Sequence, residues 1–88
     1  MGLIFSDEVR GNLLERVEFV ALDGERKVLC SIERQTLKGW TRFRTINLVS
    51  LYKDNVDVIR NAAAARYLME PSDTVVVRLE DLPKRAVG

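Results

Sequence analysis

The chain has no histidine, one cysteine and two prolines among its 88 residues. Without histidine, neither a Cys-His nor a Ser-His-Asp arrangement can be built, because each needs an imidazole to take the nucleophile's proton. A single cysteine, Cys30, excludes an internal disulfide and the framework typical of small secreted domains. A metal site would have to come from carboxylates alone, and no cofactor is expected. The five glycines are scattered, so there is no phosphate-cradling loop. No apolar run approaches the length of a membrane span. The N-terminus lacks a basic region followed by an apolar one. The expected location is therefore the cytoplasm, with no membrane partner. Charge is nearly balanced, 14 basic against 13 acidic residues, and names no partner by itself. The opening Met1-Gly2-Leu3-Ile4-Phe5-Ser6 fits the short myristoylation pattern at Gly2. Leu3, Ile4 and Phe5 read more simply as an edge strand or a flap over the core.

What is present is a hydrophobic fraction of 47% with 31% charged residues, the balance of a folded domain. Residues 1–88 are expected to form a single domain with a frayed basic tail over 83–88. The stretch from Leu48 to Glu70 organises the rest. Leu48, Tyr52, Val56, Ile59, Ala63 and Tyr67 recur at helical spacing, with Leu51, Val58, Ala62, Ala65 and Met69 widening the stripe. This predicts one long amphipathic helix, capped near Asn47 or Ser50 and stopped by Pro71, which lacks an N–H and disfavours helix in the preceding residue.

Arg16 to Leu22 and Lys27 to Ile32 alternate as strands, and Asp23-Gly24 between them is a turn signal. A two-residue turn would set Ala21 opposite Arg26. A loop from Asp23 to Arg26 sets Ala21 opposite Val28, Phe19 opposite Cys30 and Val17 opposite Ile32. The second register is preferred because it matches apolar with apolar. Residues 6–15 read as an irregular connection. Glu33 to Lys38 reads as a short helix ending at Gly39, and Trp40 to Ile46 as an extended segment. Thr74 to Leu79 is a β-branched strand. The fold class is α+β, a two-layer α/β sandwich with a small, mainly antiparallel sheet. The order is strand, strand, short helix, long helix, strand. The last strand is placed beside the first, in order 2-1-3. The expected core is Val17, Phe19, Ala21, Val28, Cys30, Ile32, Leu37, Leu48, Tyr52, Ile59, Ala62, Ala63, Val75, Val77 and Leu79.

One set of residues bears a family likeness. Phe5, Val17-x-Phe19, Asp23-Gly24, Val28-x-Cys30-x-Ile32, Leu37, the Leu48 to Tyr67 helix with Ile59 and Ala62-Ala63, and the closing Glu80-Asp81-Leu82 together resemble small bacterial proteins of the domain of unknown function family numbered 1488. The resemblance covers nearly the whole chain and rests on core and turn positions. It implies a bacterial cytoplasmic protein and supplies no catalytic or binding residues.

Three classes of function follow. The chain is expected not to be an enzyme: Cys30 falls on a buried strand face, Asp54 and Asp57 read as solvated helix charge, and nothing organises Asp73, Glu80 and Asp81. Nucleic-acid or acidic-partner binding is the alternative. Residues 26–53 carry seven basic residues against Glu33 alone, whereas 1–25 carry six acidic residues against Arg10 and Arg16. Arg34, Lys38, Arg42 and Arg44 with Trp40 and Phe43 are the candidate residues, since aromatic rings among arginines suit stacking with unpaired bases. The competing reading is a solvated basic face with Trp40 closing the core, and nucleic acid is not the favoured partner. The favoured class is a non-catalytic interaction or structural module with an unknown protein partner. Helices cover one face of a two-layer sheet, and the alternation leaves Val20, Leu22, Leu29 and Val76 on the other. Such a patch marks a surface for homodimer formation, unless Leu3 to Phe5 or Leu13 and Leu14 fold back over it.

Overall fold

The computed structural model describes residues 3–12, 15–41 and 48–83. Four strands form one mixed sheet: β1 (Ile4–Asn12), β2 (Arg16–Asp23), β3 (Arg26–Glu33) and β4 (Thr74–Val77). Three helices, α1 (Arg34–Thr41), α2 (Leu48–Asp54) and α3 (Val56–Met69), cover one face, and a short 3-10 turn follows β4 at Leu79–Asp81. This is the α+β, two-layer arrangement expected from the hydrophobic pattern. Strands β1, β2 and β3 pair antiparallel, and β4 joins β3 in parallel.

The central hairpin keeps the apolar register, with Val17 opposite Ile32, Phe19 opposite Cys30 and Ala21 opposite Val28. All six side chains are buried. Pairing continues to Asp23 opposite Arg26, so the connection is Gly24-Glu25. Gly24 turns the chain with φ of 63°, a conformation that costs glycine nothing.

Several expectations are corrected. Residues 6–12 belong to β1 rather than to an irregular connection. Because β1 occupies the outer side of β2, the last strand cannot lie beside β2 and pairs with β3 instead, and the order is β1-β2-β3-β4 rather than 2-1-3. The long helix is two helices. Asn55, buried at 2% exposure, donates from Nδ2 to the Leu51 carbonyl at 3.0 Å, while its own N–H turns to the Tyr52 carbonyl at 3.1 Å. A side-chain amide that takes an i−4 carbonyl displaces the helical bond and lets the chain bend. Helix α1 runs through Gly39 to Thr41, because Trp40 is buried and holds the last turn in place. Leu79 lies past the end of β4 and is 56% exposed, and Leu82 takes a core position instead. Trp40, Leu51 and Tyr67 complete the core. Pro83 is not frayed, since its carbonyl accepts the Trp40 Nε1–H at 2.7 Å.

Strand β1 is irregular. Phe5 pairs with Ala21 and Val9 with Phe19, so Ser6, Asp7 and Glu8 stand opposite Val20 alone. The Ser6 carbonyl accepts a bond from Arg60 Nη2 at 3.1 Å, Arg60 Nε reaches the Tyr52 hydroxyl at 3.3 Å, and the guanidinium lies 5.5 Å from the Phe5 ring centre. Phe5 and Val9 point inward, and the Phe5 ring meets Phe19 at 6.0 Å.

Helix α2 approaches β1 at Gly11, where an added Cβ would overlap Val49 Cγ2. Gly11→Ala is expected to cost about 1–3 kcal/mol through overpacking. Adding Val49→Ala should recover part of that loss. Urea unfolding of the two variants checks this; a Gly11→Ala protein as stable as the parent would mean that β1 and α2 are not packed here.

Candidate functional site

Four elements meet at the uncovered sheet face. Along β2 the outward residues are Glu18, Val20 and Leu22; along β3 they are Lys27, Leu29 and Ser31; β1 contributes Ile4, Glu8 and Arg10, and β4 contributes Thr74 and Val76. Ile4 stands beside Leu22, Val20 beside Leu29, and Ser31 beside Val76. In this register Ile4, Leu22, Val20, Leu29 and Val76 form an apolar diagonal across the sheet, with Ser31 beside Val76 itself buried at 6% exposure. Ile4 is 72% exposed, Leu22 39% and Leu29 38%. A groove of about 430 Å³ crosses the face, lined by Glu8, Arg10, Glu18, Val20, Lys27, Leu29 and Asp73.

Leu3 to Phe5 do not cover this face. Leu3 and Phe5 pack on the helix-covered side, and Ile4 adds to the exposed diagonal. Leu13 and Leu14, the other residues considered as a cover, lie outside the described residues.

The sheet edges, by contrast, are blunted. On β1 the bulge and the charges of Asp7, Glu8 and Arg10 disfavour pairing with another strand. On β4, the Leu29 N–H donates to the Asp73 carbonyl at 2.8 Å, which in a parallel ladder turns the backbone of Thr74 and Val76 outward. The chain closes that edge at both ends. The Thr74 N–H donates to Ser72 Oγ at 3.3 Å, and the Arg78 N–H to Asp81 Oδ2 at 2.9 Å.

Among the described residues, the basic segment presents no aromatic platform. Arg34 and Lys38 stand one helical turn apart on α1 and line a polar depression of about 610 Å³ with Glu15, Arg16, Glu33 and Gln35. Two carboxylates thus sit among three cations. Trp40 is 6% exposed with its indole N–H engaged by Pro83, so it cannot stack on a base. Arg42, Phe43 and Arg44 lie outside the described residues.

Of the acidic residues near β4, Asp73 and Asp81 are held in two separate ion pairs and Glu80 is exposed. Arg26 binds Asp73, with Nε and Nη2 both 2.7 Å from Oδ1, and that contact holds the guanidinium above its ordinary range. Arg66 Nη1 donates to both Asp81 oxygens, at 3.0 and 3.1 Å. The Tyr67 hydroxyl donates to Asp23 Oδ2 at 2.5 Å, which raises the phenol above its ordinary value. Among the described residues no three Cys, Asp or Glu side chains come together to hold a metal ion, and no helix is long and apolar enough to cross a membrane.

Sequence reasoning placed Val20, Leu22, Leu29 and Val76 on this face and missed Ile4, Glu8, Arg10 and Lys27. The signal for Ile4 was its place between Leu3 and Phe5, which period-two alternation turns outward once residues 4–12 are read as a strand. No family model, curated protein or solved structure matches this chain.

Cys30 is fully buried, and burial pushes its thiol up to about 11. A thiol held protonated there is a poor nucleophile at neutral pH. Because the folded value lies above that of the unfolded chain, the contribution of Cys30 to stability is complete below about pH 9 and lost as pH rises toward about 11. Burial also raises Tyr52, so its contribution disappears on the same alkaline side. Unfolding free energy should therefore fall between about pH 9 and 11, by roughly 1.4 kcal/mol for each pH unit that Cys30 alone controls. Cys30→Ala should be less stable at pH 7 but flatter over the first part of that range. Denaturant titrations at several pH values decide it; equal slopes for both proteins would show that Cys30 is not the titrating group. In the native protein at pH 7, Cys30 should resist thiol reagents until unfolding.

Proposed function

We propose that this chain is a non-catalytic interaction module and that the open face of the sheet is its working surface. The observation that carries the reading is the uncovered apolar diagonal of Ile4, Leu22, Val20, Leu29 and Val76, set in a charged rim. A solvated sheet face is normally polar along its length, whereas contiguous exposed apolar side chains mark contact surfaces. Both sheet edges are blunted, which directs association to the face rather than to strand addition. The residues that resemble the domain of unknown function family 1488 are core and turn positions. They support placing the protein among small bacterial proteins and add no site to the reading.

Binding of unpaired nucleic acid is the weaker reading, because Trp40 is committed to the core and Arg34 and Lys38 share their depression with Glu15 and Glu33.

Hydroxyl-radical footprinting tests the proposal. Labelling of Ile4, Leu22 and Leu29 in the cells that make the protein is compared with labelling of the purified protein at high dilution. Leu68 and Met69, exposed at the end of α3, serve as the internal control. The expected result is strong protection of the three sheet residues in cells with the α3 residues still labelled. Equal labelling of the sheet residues in both settings would sink the reading.

A further inference from the structure

We propose that the partner of the open sheet face is a second copy of this chain, seated on a two-fold axis that runs along the apolar diagonal. This rests on the reading of that face as the working surface. The argument starts from the charges flanking the diagonal. On the β1 side lie Glu8, Arg10 and the Arg16–Glu18 pair. On the other side lie Lys27 and the Arg26–Asp73 pair. With both ion pairs counted, the first bank is balanced and leaves Glu8 and Arg10 unpaired among the described residues, and the second carries one net positive charge at Lys27. A uniformly acidic partner would meet Glu8 and Glu18, and a uniformly basic one would meet Lys27 and Arg10, so neither fits the whole face. A second copy does fit. Rotation about the diagonal lays the bank that holds Glu8 over the other copy's bank that holds Lys27, twice by symmetry, as an isologous interface requires.

The same rotation keeps apolar groups together. Ladder positions place Val20 of one copy over Leu29 of the other, and Ile4 over Leu22. They also bring Glu8 toward Lys27 of the other copy. Within one chain Glu8, Arg10 and Lys27 make no ion pair among the described residues, so they are free to do so between chains. The area is adequate. Strands of nine, eight, eight and four residues, about 4.8 Å apart with about 3.3 Å per residue, give a projected face of roughly 400–500 Å². Its corrugated accessible surface approaches the about 800 Å² per partner of a standard interface.

Light scattering and sedimentation of the full chain over a wide concentration range, at low and at physiological salt, test this. The expected result is a reversible dimer of the 10.0 kDa chain that dissociates in Leu29→Lys. Glu8→Lys and Lys27→Glu should each weaken it about tenfold or more, since each reverses two symmetric contacts, and the double variant should return to within about threefold of the parent. Both residues are exposed, so circular dichroism of every variant should match the parent. A monomer at the highest concentration overturns the proposal. So does a dimer unaffected by Leu29→Lys. A double variant as weak as the single ones overturns the two-fold geometry. Footprinting separates this from the broader reading. Protection that appears in cells but not in concentrated pure protein keeps the face as a working surface and removes the second copy as its occupant.

Discussion

Three short helices can shield only one side of a four-stranded sheet, and the rest of the structure follows from that constraint. The paired row of Val17, Phe19 and Ala21 with Ile32, Cys30 and Val28 is fully covered, because α2 and α3 lay Leu48, Leu51, Tyr52, Ile59, Ala62 and Ala63 against it. Among the described residues nothing of comparable size is left for the other side. In a chain this small, apolar side chains placed there stay in water unless a further segment or another molecule covers them. The same shortage explains the closeness at Gly11: α2 reaches β1 only because no side chain intervenes.

Irregular points in the chain are each held by one polar side chain with a specific partner. Arg60 takes up the Ser6 carbonyl that the bulge releases from the ladder. Asn55 supplies the bond that bends the helical run. Trp40 ties Pro83 to the end of α1, and Arg66 holds Asp81, which in turn caps the end of β4. Among the described residues no buried side-chain nitrogen or oxygen lacks a partner. Leaving such a group unpaired costs about 1–3 kcal/mol, a large share of the stability of a small domain. These contacts therefore set the path of the chain as much as the core does.

The hairpin and its register were legible because period-two alternation and a glycine turn agree on one answer. Strand β1 was not, because its bulge places Ser6, Asp7 and Glu8 together and interrupts the alternation that would announce a strand. Missing β1 also misplaced β4, since the free side of β2 was already occupied. The break at Asn55 did leave a trace. Leu48, Tyr52, Asn55 and Ile59 follow helical spacing, so a polar residue sits on the buried stripe, where its amide must find a backbone partner. Gly39 misled because local preference for a helix end is weaker than the burial of Trp40. Of the candidate site residues, those on the open face were readable from β2, β3 and β4. Ile4, Glu8 and Arg10 depended on recognising β1.

Charge shows most clearly how sequence order and spatial order part company. Along the chain the acidic first segment and the basic second one look like two opposed surfaces. The antiparallel ladders interleave them. Asp23 stands opposite Arg26, Arg16 opposite Glu33, and Arg10 opposite Glu18. A strand that folds back on a strand of opposite charge converts a long-range separation into neighbouring pairs about 5 Å apart. At that distance each sign screens the other, and the steering field that a block of like charges would create is lost. What survives on the open face is a local alternation of sign around an apolar strip. Such a surface discriminates by position rather than by net charge. A partner docking there would have to match both the strip and the alternation, which is a stricter demand than opposite charge alone.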